Sequence, residues 1–488
     1  MRIANKSRTQ RTRNSRDRYL SSRSIQPPKA NTSLPETVCQ RDLNYPEICY
    51  AYFIMAEQNE KETRPVRVPE GSQGGSDSNG MDKNDHRVLG KELDLFTFSD
   101  TVGKGLPLYT EKGAAIRREL ERFVVDLEIK RGYKHVITPD IAKLDLYQKS
   151  GHYPYYKESM YAPIEIDDEQ FMLRPMTCPH HFELYLAKPR SYRELPMRIA
   201  ELAKLYRYEN SGNLAGLVRV RSFCLADSHI ICADKDQAKD EVKKVLALIE
   251  EVAGVFGLKK GEDFWYRLSL GDRTDDKKYY KDDEAWDESE GVLREVLQDQ
   301  GTKFDEAENE AAFYGPKIDI QMKDARGQEN TAFTVQYDFV MPKRFNLVFT
   351  DKDGKEKLAT VIHRSSIGAI ERIMAFIIEK YEGNFPLWLS PMQVKVIPVR
   401  VNHNEKAEEI FQMLMENGIR AELSDSDENL GTKVRDTKTN KIPYWIVIGD
   451  KEIEAGKVTL ESRDNGQLGQ IVAEELLSKL KAEIKDRK

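Results

Sequence analysis

The sequence is short of three things. Cysteine is scarce, five in 488 residues; an odd number at irregular spacing argues against a disulfide framework and points to a reducing, cytoplasmic compartment. Long apolar runs are missing: ICYAYFIMA at 48–56 is about half of the ~20 residues a bilayer crossing needs, so no membrane partner is expected. Net positive charge is missing as well, since 76 Lys and Arg against 82 Asp and Glu leave −6. Bulk electrostatics therefore give no pull toward nucleic acid, DNA included, although a local basic groove suffices to bind RNA.

What is present is a charged globular composition, 32% charged and 39% hydrophobic, long enough for two or three domains. The first 34 residues are rich in Arg and Ser and carry one acid, Asp17. Three readings compete for them: upstream sequence ahead of a true start at Met55, which we place first, an organellar transit peptide, or a disordered basic arm. From 57 to 85 the chain is rich in Gly, Ser and charge and reads as a disordered lead-in.

Ordered structure is expected from Asp85. Residues 113–132 have apolar positions at helical spacing and stop at Gly132. YKHVITPDI reads as a strand, and LAKLYRYEN with GLVRVRSFCLADSHIIC as a long antiparallel hairpin. A helix over about 20 residues follows from Asp236, then strands at TAFTVQYDFV and KLATVIH, and a helix over SSIGAIERIMAFIIEKY. Strand pairs mixed with helices, without regular βαβ alternation, predict an α+β domain on an antiparallel sheet. After EGNFPLWLSP strands and helices alternate, as in a small α/β domain. There Lys433, Arg435, Lys438 and Lys441 cluster, either as a solvated helix face or as an RNA contact.

Two groups of residues could carry chemistry. Arg207 in YRYEN, with Arg219 and Arg221 at alternate strand positions facing one side, forms a like-charge cluster that a phosphate would relieve. Glu209 and Phe223 lie close enough in sequence to bond and stack a purine, and Arg372, a helical turn past Gly368, could cover its other face. The second group starts from MTCPHHFE. Cys178 with His229 and His363, two of only eight histidines, would give a thiolate and two imidazoles with one open position, the pattern of a working zinc site. Ligands so far apart have no spacing signature, and Cys224, Cys232, His180 and His181 remain rivals.

The series TPD at Pro139, RPMTCPHH, YRYENSGNLAGLVRVRSF, AAFYGPKIDI, FTVQYDF and VIHRSSIGAIERI resembles, in this order, the class II threonyl-tRNA synthetases across Asp85 to Lys488. The resemblance implies a class II antiparallel-sheet catalytic domain over 85–388 and an anticodon-binding domain over 389–488, behind an arm over 1–84. It implies threonine, ATP with Mg²⁺, and tRNA(Thr) as substrates, one Zn²⁺ per chain on Cys178, His229 and His363, and a homodimer in which Pro139 belongs to the interface motif. Arg207, Glu209 and Arg219 would hold ATP, Phe223 and Arg372 would sandwich its adenine, and Lys317 would reach the nucleotide, with Arg207, Arg372 and Lys317 counted as catalytic. Asp227, Tyr314 and Gln336 fall around the threonine pocket, and Lys433, Arg435 and Glu452 match anticodon-binding elements. Leu225, Ala226 and Asp427 depart from residues common in the family.

Zinc on the threonine hydroxyl would reject valine, because a site built for a hydroxyl discriminates by about 10⁴ or more, whereas the one methyl lost in serine is worth only ~1–3 kcal/mol. The short polar lead-in predicts no cis-editing domain and, as one outcome, a separate hydrolase that clears serine errors. A synthetase-like RNA-binding protein without catalysis is the alternative; it fits poorly with ATP arginines and ligand set together.

Overall fold

A computed structural model of the chain describes residues 81–424 and 427–488. Expectations for the basic arm, its start and the editing domain fall almost wholly on residues 1–80, outside the described residues. Those described belong to one compact unit, and among them no helix is long and apolar enough to cross a membrane.

The ordered chain opens with a short helix, α1 (His86–Glu92), and a long one, α2 (Glu111–Lys130). Thr110 caps α2 by accepting from the Gly113 amide, and Ile116, Leu120, Phe123, Val124 and Leu127 bury one stripe. Beyond β1 (Lys134–His135) and α3 (Cys178–Leu186) come the long strands β2 (Met197–Tyr206) and β3 (Ser222–Cys232), then α4 (Lys235–Val255). Strands β4 (Phe264–Ser269), β5 (Phe304–Ala307), β6 (Lys317–Lys323), β7 (Glu329–Asp338) and β8 (Thr360–Ala369) complete the first domain's sheet, closed by α5 (Ile370–Lys380).

The eight strands lie in the order β5-β4-β6-β7-β8-β3-β2-β1. Every pairing is antiparallel except the two at the edges, β5 with β4 and β1 with β2. Period-two alternation divides the sheet. Ile230, Ile318, Val335 and Ile362 bury into a core with Val242, Val245 and Ile249 of α4 and with α5, which leaves the polar residues between them on the other face.

After Ser390 a five-stranded sheet follows. It comprises β9 (Val394–Pro398), β10 (Ala421–Leu423), β11 (Tyr444–Ile448), β12 (Val458–Ser462) and β13 (Gly466–Ile471), in the order β10-β9-β11-β12-β13. Helices α6 (Asn404–Glu416), α7 (Leu430–Thr439), α8 (Asp450–Ala455) and α9 (Ala473–Lys485) accompany it. Only the first three strands are parallel; β12 and β13 form an antiparallel hairpin that simple strand–helix alternation did not anticipate. The glycine- and glutamine-rich GQLGQI of β13 lacks an apolar alternation that would have marked it.

Three boundaries differ from expectation. The YKHVITPDI stretch joins the main sheet only at Lys134–His135, before the chain turns away through Pro139, and its last residue, Ile141, pairs with Leu173 in a separate small sheet. Arg207, Arg219 and Arg221 lie in the connection between β2 and β3, not in the strands. Residues 365–369 continue β8 rather than opening α5, so Arg372 stands in the helix's first turn and Gly368 in the strand.

Candidate active site and metal centre

Two rows of side chains cross the polar face of the sheet. Lys317, Gln336, His363 and His229 are successive partners across β6, β7, β8 and β3; two residues along each strand, Asp319, Thr334, Ser365 and Asp227 form the second row. All eight line a cavity of 430 Å³ together with Cys178, Arg207, Glu209, Arg219, Phe223, Tyr314 and Arg372. Every residue expected at the metal, the nucleotide or threonine therefore comes to one place.

Cys178 is the first residue of α3, which sets its thiol over the sheet opposite His229 and His363. All three are buried, and their ligand atoms lie within 4.8 Å of one another. His363 Nε2 is 2.7 Å from an Asp338 carboxylate oxygen, so Nδ1 is the nitrogen free for an ion. His229 Nδ1 is 2.8 Å from Nδ1 of His181, whose Nε2 reaches Glu201 at 3.2 Å. The remaining His229 Nε2 is buried without a partner. Burial pushes the Cys178 thiol well up and holds the His229 imidazole well below its ordinary value; a cation would supply the missing stabilisation of a thiolate, and a neutral imidazole is the ligating form. The S, N, N donor set, the orphaned nitrogen and the carboxylate behind His363 fit zinc. The rivals serve otherwise: His181 orients His229 from behind, His180 packs against the Tyr147 ring at 6.3 Å, and Cys232 directs its thiol to the Ile230 carbonyl. Cys224 meets Glu371 through its backbone amide.

Three guanidinium groups share the other end of the cavity. Arg207 stacks with Tyr156 at 5.8 Å and Phe223 at 5.0 Å, and its Nε is buried without a hydrogen-bond partner. Arg372 donates from Nε to the Val218 carbonyl at 3.0 Å. Burial, and then the charges of Arg207 and Arg219, push Arg372 down to about 10. Arg219 pairs with Glu209 at 2.9 Å. Arg221 faces elsewhere, donating to the carbonyls of Glu209 and Lys104, so it needs no anion. Lys317 sits 2.9 Å from the Asp319 carboxylate.

Between the two ends, the Tyr314 ring stacks on His363, centroids 4.8 Å apart, and its hydroxyl donates to Gln336. Thr177 donates to the Asp227 carboxylate. Sequence reasoning missed Asp319, Thr334 and Ser365 of the second row and the supporting Asp338, Glu201 and Thr177, and it weighed His181 only as a rival ligand. A signal for the row existed: polar residues two apart in KIDIQ, TVQYD and IHRS, within strands otherwise apolar enough to be buried on both faces.

The three residues expected at the anticodon do not form one exposed face. Lys433 is buried, 5% exposed, with its ammonium 3.3 Å from the Pro398 carbonyl. Arg435 is exposed. Glu452 accepts from Thr459 at 2.7 Å and from the Gly449 amide at 3.0 Å. Lys438 lies over the Trp445 ring at 5.4 Å and Lys441 donates to the Glu382 carbonyl, so the cluster is dispersed.

Comparison with known proteins gives a consistent result. Residues 161–381 match the tRNA synthetase class II core domain (G, H, P, S and T), and 393–483 match an anticodon binding domain. Threonine–tRNA ligases of Geobacillus sp. (strain WCH70) and Staphylococcus carnosus (strain TM300) are 47% and 46% identical over 404 and 408 residues, 83% of this chain. The chain spans 62% of the length of each. Among solved structures, the RNA binding domain of threonyl-tRNA synthetase from Cryptosporidium parvum Iowa II is 34% identical with a TM-score of 0.77, over 82% of this chain and 98% of that one.

Proposed function

Since the chain belongs to the class II threonyl-tRNA synthetases, we propose that it is a threonine–tRNA ligase, activating threonine with ATP and passing it to the 3′ end of tRNA(Thr). The observation that carries this reading is the meeting, in one cavity, of an S, N, N ligand set with three mutually repelling guanidinium groups. Such a cavity suits a small polar substrate held at one end and a polyphosphate at the other.

ATP enters as its Mg²⁺ complex. Arg207, half-buried with its Nε out of water and unpartnered, offers positive charge that an α-phosphate would neutralise; a polar group left buried without a partner is costly, and the ligand removes the cost. Arg219 turns toward the outer phosphates, while Phe223 and Arg372 face the purine and Glu209 accepts from its amino group. Lys317, anchored on Asp319, stands at the junction between nucleotide and amino acid. The threonine carboxylate attacks the α-phosphorus, pyrophosphate leaves, and the arginines spread the developing charge. In the second step the terminal ribose hydroxyl of tRNA attacks the acyl carbon and AMP leaves.

Zn²⁺ on Cys178, His229 and His363 would supply a Lewis acid for the amino nitrogen and hydroxyl of threonine. Asp227, Tyr314 and Gln336 orient the rest of the amino acid: the Asp227 carboxylate would accept from the amino group that zinc holds, and the Tyr314 ring on His363 shapes the wall. The anticodon is assigned to 389–488, with the exposed Arg435 available for contact and Lys433 and Glu452 in internal, supporting positions. A homodimer belongs to this reading, with Ile137, 96% exposed two residues before Pro139, as a side chain that a partner subunit would cover.

Charging of a tRNA(Thr) transcript tests the proposal: threonine is expected to be esterified to its 3′ end and valine is not. A folded, zinc-loaded protein that charges neither would favour the RNA-binding reading.

A further inference from the structure

His86 lies outside the cavity, yet it holds the loop that forms one of its walls. It is the first residue of α1 and 2% exposed. Its Nδ1 is 2.6 Å from Glu379 Oε1 and 3.6 Å from the Asp85 carboxylate. Its Nε2 lies 3.1 Å from the backbone amide of Leu217. An amide only donates, so Nε2 is the acceptor and the ring proton sits on Nδ1, shared with Glu379. Glu379 is fixed in turn, its other oxygen accepting from the Ala325 amide at 2.8 Å. The three side chains have ion-binding composition, but these hydrogen bonds account for their approach.

The neighbouring residue of the loop, Val218, accepts from Arg372 Nε at 3.0 Å. Arg372 and Glu379 both belong to α5, two turns apart. The loop is therefore clamped to one helix at adjacent residues, through Arg372 directly and through His86 and Glu379 at the other end. The fit is tight: at Gly216, φ +50°, a Cβ would stand 2.1 Å from His86 Nε2. Val218, Arg219 and Val220 then line the cavity.

We propose that His86 is a positioning residue for ATP: by accepting from Leu217 it fixes the Val218 carbonyl, which together with the Thr331 carbonyl that takes the other side of the guanidinium sets the plane of Arg372 over the purine. This rests on the reading of that end of the cavity as the nucleotide site.

Threonine-dependent ATP–pyrophosphate exchange of the full chain tests it. His86→Asn stops at the reach of Nδ1 and loses the acceptor; His86→Gln carries an oxygen to about the position of Nε2. His86→Asn is expected to raise KM for ATP about tenfold with KM for threonine unchanged, and His86→Gln to restore most of the loss. Gly216→Ala, which presses on the same contact from the loop side, is expected to raise KM for ATP selectively as well, and it decides the matter if His86→Asn does not fold. Equal impairment by Asn and Gln, a matching rise in KM for threonine, or an unchanged KM for ATP in Gly216→Ala would overturn the role of His86. A parent protein with no threonine-dependent exchange would overturn the proposed reaction and this role together.

Discussion

At the scale of single residues, the site works through pairs whose second member was harder to see. His363 illustrates this: its Nδ1 is available to an ion because Asp338 occupies Nε2 at 2.7 Å. Asp338 uses its other oxygen to cap the amides of Val340 and Met341, each at 2.9 Å. Asp338→Asn can keep that cap while losing the charge behind the imidazole. Zinc affinity is expected to fall by about 10- to 100-fold, read by competition with a chromophoric chelator, with the fold retained; unchanged affinity would remove Asp338 from the support of the metal. At the nucleotide end, Arg207→Ala is expected to slow threonine-dependent exchange by about 10²–10³ without altering metal content. Loss of zinc in that variant would mean that the two ends of the cavity are not separable.

At the scale of elements, two ties hold the sheet in register beneath the site. Gly368 in β8 has φ +71°, and a Cβ there would lie 2.0 Å from the Ala332 carbonyl. Gly368→Ala is expected to cost about 2 kcal/mol or more, seen as a lower Tm; an unchanged Tm would show that β7 and β8 can part without penalty. The second tie joins α2 to β8, where Glu128 accepts from Arg364 at 2.6 Å and from Ser366 at 2.5 Å. Burial alone would raise the Glu128 carboxyl, but the Arg364 charge and the bonds from His135 and Ser366 more than reverse it, so it lies below its ordinary 4.5. A lowered folded value stabilises above the ordinary range and is lost as pH falls through it. The stability gap between parent and Glu128→Gln is therefore expected to be largest near neutrality, about 3–5 kcal/mol for a broken buried pair, and to shrink below pH 4.5. A gap independent of pH would contradict it.

Legibility follows from how local each signal is. The long helix α2 was readable because its cap, apolar stripe and stop are all within the segment. Arg219 and Arg221 were misplaced into a strand because VRVR alternates like one, while the ladder starts only at Ser222; Arg207 stands one residue past the end of β2 at Tyr206. His363 reads as the last residue of the KLATVIH strand, yet it faces His229 in mid-ladder, and that cross-strand register is set by distant segments. Lys433 reads as a surface residue of a polar helix; the carbonyls of Pro398 and Ser424 that receive its ammonium come from other elements and leave no mark near it.

At the scale of the molecule, the two sheets are tied through Arg420. It pairs with Glu119 of α2 at 3.0 Å and donates to the carbonyls of Trp388 and Ser390, each at 2.8 Å, so the chain after Ser390 is anchored to the first domain. The exposed Ile137 belongs to this scale as well: if the proposed homodimer forms through it, the parent sediments as a dimer and Ile137→Asp as a monomer, whereas a monomeric parent would contradict the dimer and an unchanged dimer would remove Ile137 from its contact. The central claim, that one cavity joins a hydroxyl-reading metal to an ATP site, is tested most directly by ATP–pyrophosphate exchange with threonine, serine and valine, with zinc determined in the same sample. The account predicts exchange with threonine, weaker exchange with serine, none with valine and about one zinc per chain. Exchange with valine equal to that with threonine, or full threonine activity in protein stripped of zinc, would contradict it.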